Sequence, residues 1–276
     1  MPSNRPNAHV SEESVERTRR KLLDAAQRLV ERHGGVSVSL DLTMEQVMAE
    51  AGVSRSTMYR TWPNKGAFEV DVLTDLAGPS WQGTAAFDAE TIALAYSVIA
   101  DRLHDLQTLE GRERAMREAI RQAAQRNFEA VIDSPQWRTY VALTATAKTL
   151  AEAECRIAVL EALVAAERNF LGKMAQFYQG MADVLGFRLR NPDFTYEQLA
   201  AVGAAVVEGM GLRQVIAGEH TGRPVTIEGP DGPEDWNLAA LGFYGLVTNL
   251  IEPDPDYDFQ TALAKHLKGL STLDPS

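Results

Sequence analysis

The sequence has few of the features that define several other classes of protein. Its single cysteine, Cys155, excludes an intramolecular disulfide and is typical of a reducing, cytoplasmic environment. No apolar run approaches the roughly 20 residues that a membrane-spanning helix needs, so no membrane partner is expected. The first ten residues lack the apolar segment of a signal peptide, and we interpret residues 1–10 as a flexible arm.

Positive charge is also in deficit, but the deficit is unevenly spread. Residues 1–75 hold ten Lys and Arg against eleven Asp and Glu, a net charge of -1, whereas the rest of the chain carries -10 of the formal total of -11. A local basic cluster, such as R-T-R-R-K at 17–21, can hold phosphates even when the whole chain is acidic. The charge pattern is therefore compatible with a nucleic-acid site in the N-terminal part.

Strand patterns are almost missing, since no run of alternating β-branched residues lies between turn residues. The short segment V-S-V-S-L at 36–40 is one candidate, within a predicted loop. Residues 219–235 are rich in Gly, Pro and acid, which predicts an exposed, mobile loop. The remaining periodicity is helical. Beyond residue 78 the predicted helices are 87–107, 111–131, 135–152, 156–186, 195–218, 236–251 and 258–270.

A break within the pattern at 135–186 is expected on grounds of length. One continuous helix over those residues would be about 78 Å long, which is too long for a compact domain. We place the break near 153–156, although neither Gly nor Pro occurs there.

The N-terminal residues predict a set of short helices with well-defined ends. The first begins near Ser11 and ends at the glycine pair 34–35. A second starts after Thr43, which has the capping-box spacing with Gln46. The apolar stripe of the first helix consists of Leu22, Ala26, Leu29 and Val30.

A third helix follows the second after a very short turn. Gly52 ends the second helix, and Ser54 caps the third. Pro63 disfavours helical geometry at Trp62, so the third helix is short. Asn64 then caps a fourth helix.

Two short helices joined by a tight turn, with small polar residues at the start of the second, form the pattern of a helix-turn-helix. In that motif the second helix enters the major groove of double-stranded DNA. Arg55 can donate two hydrogen bonds to a guanine edge, whereas Tyr59 and Lys65 can bind phosphates. Thr43 can bind a phosphate or act only as a cap. The DNA-binding candidates are Thr43, Ser54, Arg55, Ser56, Thr57, Tyr59, Arg60 and Lys65.

This segment resembles the DNA-binding signature of the TetR family of bacterial transcriptional regulators. The family pattern has A-G-V-S before the recognition helix, here at 51–54, then a tyrosine near its end and an aromatic-P-x-K sequence, here at 62–65. The match covers about residues 15–75, and Trp62 stands where phenylalanine is more common.

The resemblance implies an all-α fold, with a three-helix helix-turn-helix domain at 11–78 and a larger helical bundle for ligand binding and dimerisation at 79–276. It also implies a homodimeric repressor that binds a DNA operator and is released by a small-molecule effector. No cofactor and no metal are expected.

The predicted helix at 195–218 has a face of small side chains, which would let two copies approach closely. The predicted dimer residues on it are Ala200, Ala204, Val207 and Gly211. The helix at 236–251 is expected to contribute to the same interface. Alternatively, the small face packs inside its own bundle.

Aromatic and methionine side chains in the bundle are candidates for an effector pocket, and their mixture suits a largely apolar ligand. They are Trp137, Tyr140, Phe170, Met174, Phe177, Tyr178 and Met181. Packing in the core is the alternative for each of them. Arg117 and Arg121 can anchor an anionic group or form a solvated helix face.

Two other classes of function compete with this interpretation. The five histidines are scattered without metal-ligand spacing, and no nucleophile or phosphate-loop motif occurs, so we predict that the protein is not an enzyme. A helical ligand-binding or interaction protein that does not bind DNA specifically is the alternative. Arg55, Tyr59 and Lys65 argue against it.

Overall fold

A computed structural model of the protein describes residues 12–35, 42–78 and 87–264. Helices dominate within these residues, which confirms the predicted all-α class. The predicted arm, the helix start at Ser11 and the strand candidate at 36–40 lie outside the described residues.

The elements follow one another in a mainly helical order. In chain order they are α1 (Glu12–Arg32), α2 (Met44–Ala51), α3 (Arg55–Thr61), α4 (Lys65–Ala77), α5 (Ala89–Ala100), a 3-10 turn (Asp105–Gln107), α6 (Leu109–Ile132), α7 (Pro135–Thr146), a 3-10 turn (Ala147–Thr149), α8 (Ala153–Leu185), β1 (Phe187–Leu189), α9 (Tyr196–Thr221), β2 (Val225–Gly229), β3 (Gly232–Trp236), α10 (Leu238–Leu250) and β4 (Ile251–Pro253).

The chain forms two compact units. Unit 1 contains residues 1–83 and 134–167, and unit 2 contains residues 84–133 and 168–276. Packing thus adds the segment 134–167 to the N-terminal residues. The domain boundary after residue 78 stays a prediction, because each compact unit is built from two separate stretches of the chain.

The predicted helix caps are present in unit 1. The Thr43 hydroxyl accepts a hydrogen bond from the Gln46 backbone N–H at 3.2 Å, and the Gln46 side chain accepts one from the Thr43 N–H at 2.8 Å. The Asn64 side chain accepts from the Ala67 N–H at 2.9 Å. These bonds satisfy N–H groups that a helix start leaves without intrahelical partners.

The core of unit 1 joins the four N-terminal helices to α7 and the first part of α8. Leu22 and Val47 are fully buried, and Leu143 and Val159 belong to the same cluster. At the end of α1, the Arg138 side chain donates to the Gly34 carbonyl at 2.8 Å, and Gln136 donates to Glu31 at 3.0 Å. Helix α7 is therefore a structural support for the N-terminal helices.

The predicted break in 135–186 exists, but it lies earlier than 153–156. Helix α7 ends in a 3-10 turn, and α8 begins at Ala153, so the non-helical residues are 150–152. The Arg156 side chain donates to the Leu150 carbonyl at 2.7 Å. A side-chain hydrogen bond, rather than Gly or Pro, thus closes this turn.

Unit 2 packs α5, α6, α9 and α10 with the second part of α8. Its core contains Leu106, Phe187 and Trp236, all nearly inaccessible to solvent. Strands β1 and β4 pair antiparallel, with Leu189 opposite Ile251. After β4 the chain is helical again at 259–264, and the rest of the last predicted helix lies outside the described residues.

The loop predicted at 219–235 is wrong. Helix α9 continues to Thr221, and β2 and β3 then form an antiparallel hairpin with Val225 opposite Trp236. The V-T-I run before G-P-D-G is a strand-and-turn pattern that the high Gly and Pro content concealed. The hairpin is held to α6, because the Arg117 guanidinium binds Glu234 at 2.8 Å and lies 5.0 Å from the Trp236 ring centroid.

Trp62, which caps the C-terminal end of α3, is held by two side-chain contacts. Its indole N–H donates to Asp71 Oδ2 at 2.7 Å, and its ring meets Phe68 edge to face with centroids 5.3 Å apart. The same Asp71 oxygen accepts from Arg19 Nε at 2.7 Å. Helices α1, α3 and α4 are therefore joined through one carboxylate.

The charge of Asp71 is favoured in the folded state. Burial alone would raise its pKa, but the hydrogen bonds from Arg19 and Trp62 outweigh burial and lower the pKa below its ordinary value. A carboxylate with a depressed pKa stabilises the fold above its unfolded-state pKa. That contribution is lost as the pH falls through the folded-state pKa.

We predict that Asp71→Asn lowers the free energy of unfolding by about 1.5–3 kcal/mol at pH 7, the range for hydrogen bonds to charged groups. The difference from the wild type should shrink as the pH falls below about 4, the ordinary range for an unfolded aspartate. Urea unfolding followed by circular dichroism at several pH values measures it. Glu161→Gln, an exposed carboxylate in unit 1, is the control. A pH-independent difference would contradict the prediction.

Candidate nucleic-acid interface and effector cavity

The turn between α2 and α3 is made by a left-handed glycine. Gly52 has φ 61° and ψ 42°, a conformation that costs residues with a Cβ more than it costs glycine. The Gly52 N–H donates to Ala49, and the Val53 N–H donates to Met48 at 3.1 Å. These bonds close the end of α2 and let α3 begin at Arg55, three residues after Gly52.

Helix α3 is anchored by one face and presents the other. Met58 is fully buried and Trp62 is 2% exposed, so both hold the helix to the core of unit 1. The residues on the opposite side are exposed to solvent. They are Arg55, Ser56, Tyr59 and Arg60.

The hydroxyl groups at the start of α3 bind one another. The Ser54 hydroxyl accepts from the Thr57 N–H at 3.3 Å and lies 3.0 Å from the Ser56 hydroxyl and 2.9 Å from the Thr57 hydroxyl. Ser54 is therefore occupied as the helix cap. Thr57 is half-buried, whereas Ser56 is exposed.

The Arg55 side chain is ordered by its own helix. Its guanidinium lies 5.4 Å from the ring centroid of Tyr59, one helical turn later. A cation over an aromatic face is attracted by the ring quadrupole. The two side chains thus form one exposed, preorganised group on α3.

Lys65 lies at the start of α4 with its side chain 73% exposed. Its ammonium is 3.2 Å from the Glu69 carboxylate, an exposed pair of the kind that stabilises little in water. Thr43 is also exposed, at the start of α2. Two helix N-termini therefore face solvent beside a hydroxyl or an ammonium group, the arrangement that binds phosphates.

Part of the basic cluster at 17–21 is used inside the fold. Arg19 binds Asp71, and Arg20 binds Asp75 at 2.7 Å, so both arginines are paired with carboxylates of the same unit. Arg17 and Lys21 remain exposed. The sequence pattern could not separate these two pairs, because the partners of Arg19 and Arg20 are more than 50 residues away.

Comparison with protein families matches residues 22–68 to the bacterial regulatory proteins of the tetR family. The matched segment includes the core face of α1, the turn at Gly52 and all of α3. The N-terminal domain is that of a TetR-family regulator. The match supports a DNA-binding transcriptional regulator, and a larger helical region follows the matched domain. No curated protein matches the chain.

Unit 2 contains an apolar cavity of about 110 Å³. Three of the side chains that the sequence indicated border it, namely Phe177, Tyr178 and Met181. A smaller cavity of about 20 Å³ shares Tyr178 and is also bordered by Phe170 and Met174. The cavities thus bring together five residues of α8.

Trp137 and Tyr140 are not part of this site. Both belong to unit 1, where Trp137 is 2% exposed and Tyr140 donates to the Glu167 carboxylate at 2.7 Å. Neither residue borders the two cavities of unit 2. Aromatic residues have the same sequence signature in a core as in a cavity wall, and only packing separates the two.

The cavity has polar residues that sequence reasoning missed. Thr91 and Asn127 border it, and both are buried. Asn127 occupies an apolar helical position between Ala123 and Val131, which is the one signal that could have indicated it.

The face of α9 predicted for dimerisation is turned inward. Ala200, Val207 and Gly211 are buried within the protomer, and Ala204 and Val207 border the smaller cavity. The alternative of internal packing therefore holds for this face. The opposite face carries exposed apolar side chains, including Val202, Leu212 and Ile216.

Helix α9 has a further property that the sequence reading did not register. Among the described residues, it is long and apolar enough to cross a membrane by length and composition alone. The core helix of a soluble protein passes the same test, so this property is weak evidence for a membrane span.

The two serines at the start of α3 should differ when they are replaced. We predict that Ser54→Ala lowers the free energy of unfolding by about 0.5–2 kcal/mol, because it removes the cap of α3. Ser56→Ala, an exposed neighbour without a cap bond, should change it by less than about 0.5 kcal/mol. Thermal unfolding of both variants measures the difference. Equal losses would refute the assignment of Ser54 as the cap.

Proposed function

We propose that the protein is a transcriptional repressor that binds a two-fold symmetric operator as a homodimer and leaves it when a small molecule binds. The exposed face of α3, anchored through Met58 and Trp62, is the observation that carries this proposal. A rigid helix with one free polar face is what major-groove recognition requires.

The roles within α3 follow from position and chemistry. Arg55 lies at the start of the helix, where a guanidinium can reach the O6 and N7 acceptors of a guanine. Tyr59 orders Arg55 from below and offers its hydroxyl to a phosphate. Ser56, Thr57 and Arg60 are the other candidates for bases or nearby phosphates.

Lys65 and Thr43 are proposed as backbone contacts. Each lies at a helix N-terminus, where N–H groups and the helix dipole favour an anion. Glu69 pairs with Lys65 in the free protein, so a DNA phosphate would replace an exposed carboxylate at little cost.

Arg55→Ala and Lys65→Ala should weaken DNA binding in different ways. Arg55→Ala should weaken binding to the cognate operator by about 1–3 kcal/mol, barely affect random DNA and relax specificity at one base position per half-site. Lys65→Ala should weaken both DNAs alike and reduce the salt dependence by about one ion per subunit. Titrations with an operator selected from a random double-stranded pool, at several salt concentrations, measure both.

Arg168→Ala, an exposed arginine in unit 2, is the matched control and should leave DNA binding unchanged. Equal weakening of cognate and random DNA by Arg55→Ala would make Arg55 a phosphate contact. Base reading would then move to Ser56, Thr57 or Arg60. If no sequence were enriched from the pool, the alternative of a helical ligand-binding or interaction protein would stand instead.

The dimer is proposed to form through the outward face of α9, in place of the buried face. Along this face apolar or small residues recur at intervals of three and four, the spacing of a helix-packing stripe. A Cβ added at Gly209, or at Gly245 on α10, would meet nothing within 4 Å, so both positions leave room for a partner. The stripe on α9 consists of Val202, Ala205, Gly209, Leu212 and Ile216.

Leu212→Arg should convert the dimer to a monomer. An unpaired charge at a helix crossing would cost several kcal/mol, whereas in a monomer the arginine would remain solvated. Ile157→Arg, at an exposed apolar position of unit 1, is the matched control and should remain dimeric. Light scattering at micromolar concentration distinguishes the outcomes. A Leu212→Arg variant that stayed dimeric would place the interface elsewhere.

Effector release is proposed to act through the dimer. Two recognition helices must lie about 34–36 Å apart to enter successive major grooves. A ligand in unit 2 that favours a different separation weakens operator binding by no more than its differential affinity for the two states.

A further inference from the structure

The wall of the large cavity is uncharged. Of the described residues that border it, none is Lys, Arg, His, Asp or Glu. The nearest candidates for an anion anchor by sequence, Arg117 and Arg121, bind Glu234 and Glu118 instead. A charged ligand would lose its hydration here without gaining a counter-ion.

One polar group in this wall lacks a partner. The Thr91 hydroxyl is buried and makes no hydrogen bond within the described residues. Thr91 lies in the first turn of α5, so no carbonyl of that helix lies four residues before it to accept a hydrogen bond from the hydroxyl. A buried hydroxyl without a partner is rare in folded proteins and calls for an explanation.

A second polar group lies in the same wall, and part of its hydrogen-bonding capacity is already used. Asn127 Oδ1 accepts a hydrogen bond from the Phe87 backbone N–H at 2.7 Å. Phe87 has a φ of 58°, which is uncommon for a residue with a bulky side chain. The Asn127 bond thus holds the Phe87 ring against the Phe177 and Tyr178 rings, with centroids 5.3 and 5.4 Å away.

The volume and the wall both suit one ring. An apolar cavity of about 150 Å³ holds benzene in another protein, and the present volume of about 110 Å³ is of that order. The adjoining small cavity shares Phe87, Asn127 and Tyr178 but is also bordered by the Glu208 carboxylate, so the ring is assigned to the large cavity alone. Burial raises the pKa of the Tyr178 hydroxyl, which keeps this wall neutral.

We propose that the cavity binds an uncharged molecule about the size of one six-membered ring, with a single hydrogen-bonding group that meets the Thr91 hydroxyl. This inference rests on the proposed function only in calling that molecule the effector. The size, the neutrality and the single hydrogen bond of the proposed ligand follow from the cavity alone.

Three small probes test the proposal on the full-length protein by calorimetry. Phenol and toluene have nearly the same shape and differ in one hydroxyl, and benzoate adds a negative charge. Phenol should bind at millimolar concentration or below, and benzoate should not bind. Absence of phenol binding, or equal binding of benzoate, would overturn the proposal.

Thr91→Val tests the hydrogen bond, because valine keeps the shape and removes the hydroxyl. The ratio of phenol affinity to toluene affinity should fall by about two- to tenfold, the value of one ordinary hydrogen bond. Thr91→Ser should retain the wild-type ratio. Thr91→Val should also melt at the same or a higher temperature, since it removes an unpaired buried hydroxyl. An unchanged ratio in Thr91→Val would overturn the proposed contact.

Ala123→Leu tests the location, since Ala123 borders the cavity and a leucine would fill part of it. Binding of phenol and toluene should fall at least tenfold, with the helical circular dichroism retained. Undiminished binding would place the ligand elsewhere.

Operator titration separates this inference from the proposed function. If phenol binds as expected and operator affinity does not change, the chemistry of the cavity stands and the effector role fails. If the operator is bound and released normally by another compound while phenol fails to bind, the proposed function stands and this inference fails.

Discussion

The carboxylate of Asp71 is the contact on which the DNA-binding unit depends. It accepts hydrogen bonds from Trp62 at the end of α3 and from Arg19 on α1, and it lies on α4 itself. A seven-residue helix such as α3 has little stability of its own, because so few hydrogen bonds do not offset the unfavourable free energy of nucleation. Its orientation must therefore come from tertiary anchors. The buried Met58 and Trp62 supply the apolar part, and Asp71 supplies the directional part. The exposed face of α3 is consequently fixed before any DNA is bound, which lowers the entropy cost of recognition.

Most of the arginines in unit 1 that the sequence places near α1 are paired with carboxylates, whereas Arg55 on α3 has no such partner among the described residues. The chain is acidic overall, and several of its arginines are held by carboxylates of the same unit. Arg28 and Arg32 both bind Glu50, and the hydrogen bond from Arg32, followed by that from Arg28, lowers the pKa of this carboxylate. On the exposed side of α3, the guanidinium of Arg55 instead lies over an aromatic ring. Its charge therefore remains available for a base or a phosphate, which distinguishes α3 from the neighbouring basic segments.

Unit 2 differs from unit 1 in that its apolar interior is incompletely filled. Native cores are packed to nearly crystalline density, so a cavity bordered by six aromatic residues and by a hydroxyl without a partner among the described residues is a departure from ordinary packing. Such a departure reduces stability and persists where it serves binding. The same helix α9 contributes its small residues to this interior and turns a second apolar face to solvent. Its composition thus has two explanations, which a single helical pattern could not separate.

Local chemistry by itself determined much of this protein. The capping box at Thr43, the cap at Ser54, the left-handed Gly52 and the stop before Pro63 depend on residues within a few positions of one another, so the sequence specified the helix-turn-helix and its exposed residues. The tertiary structure decided whatever depends on distant partners. It showed that Arg19 and Arg20 are used inside the fold, that Trp137 and Tyr140 belong to unit 1, and that β2 and β3 form a hairpin held by Arg117. It also showed that Ala200, Val207 and Gly211 on α9 are buried within the protomer. A periodic pattern states that a helix has an apolar face, but two such faces on one helix can be assigned to the core or to solvent only when the neighbouring helices are in place.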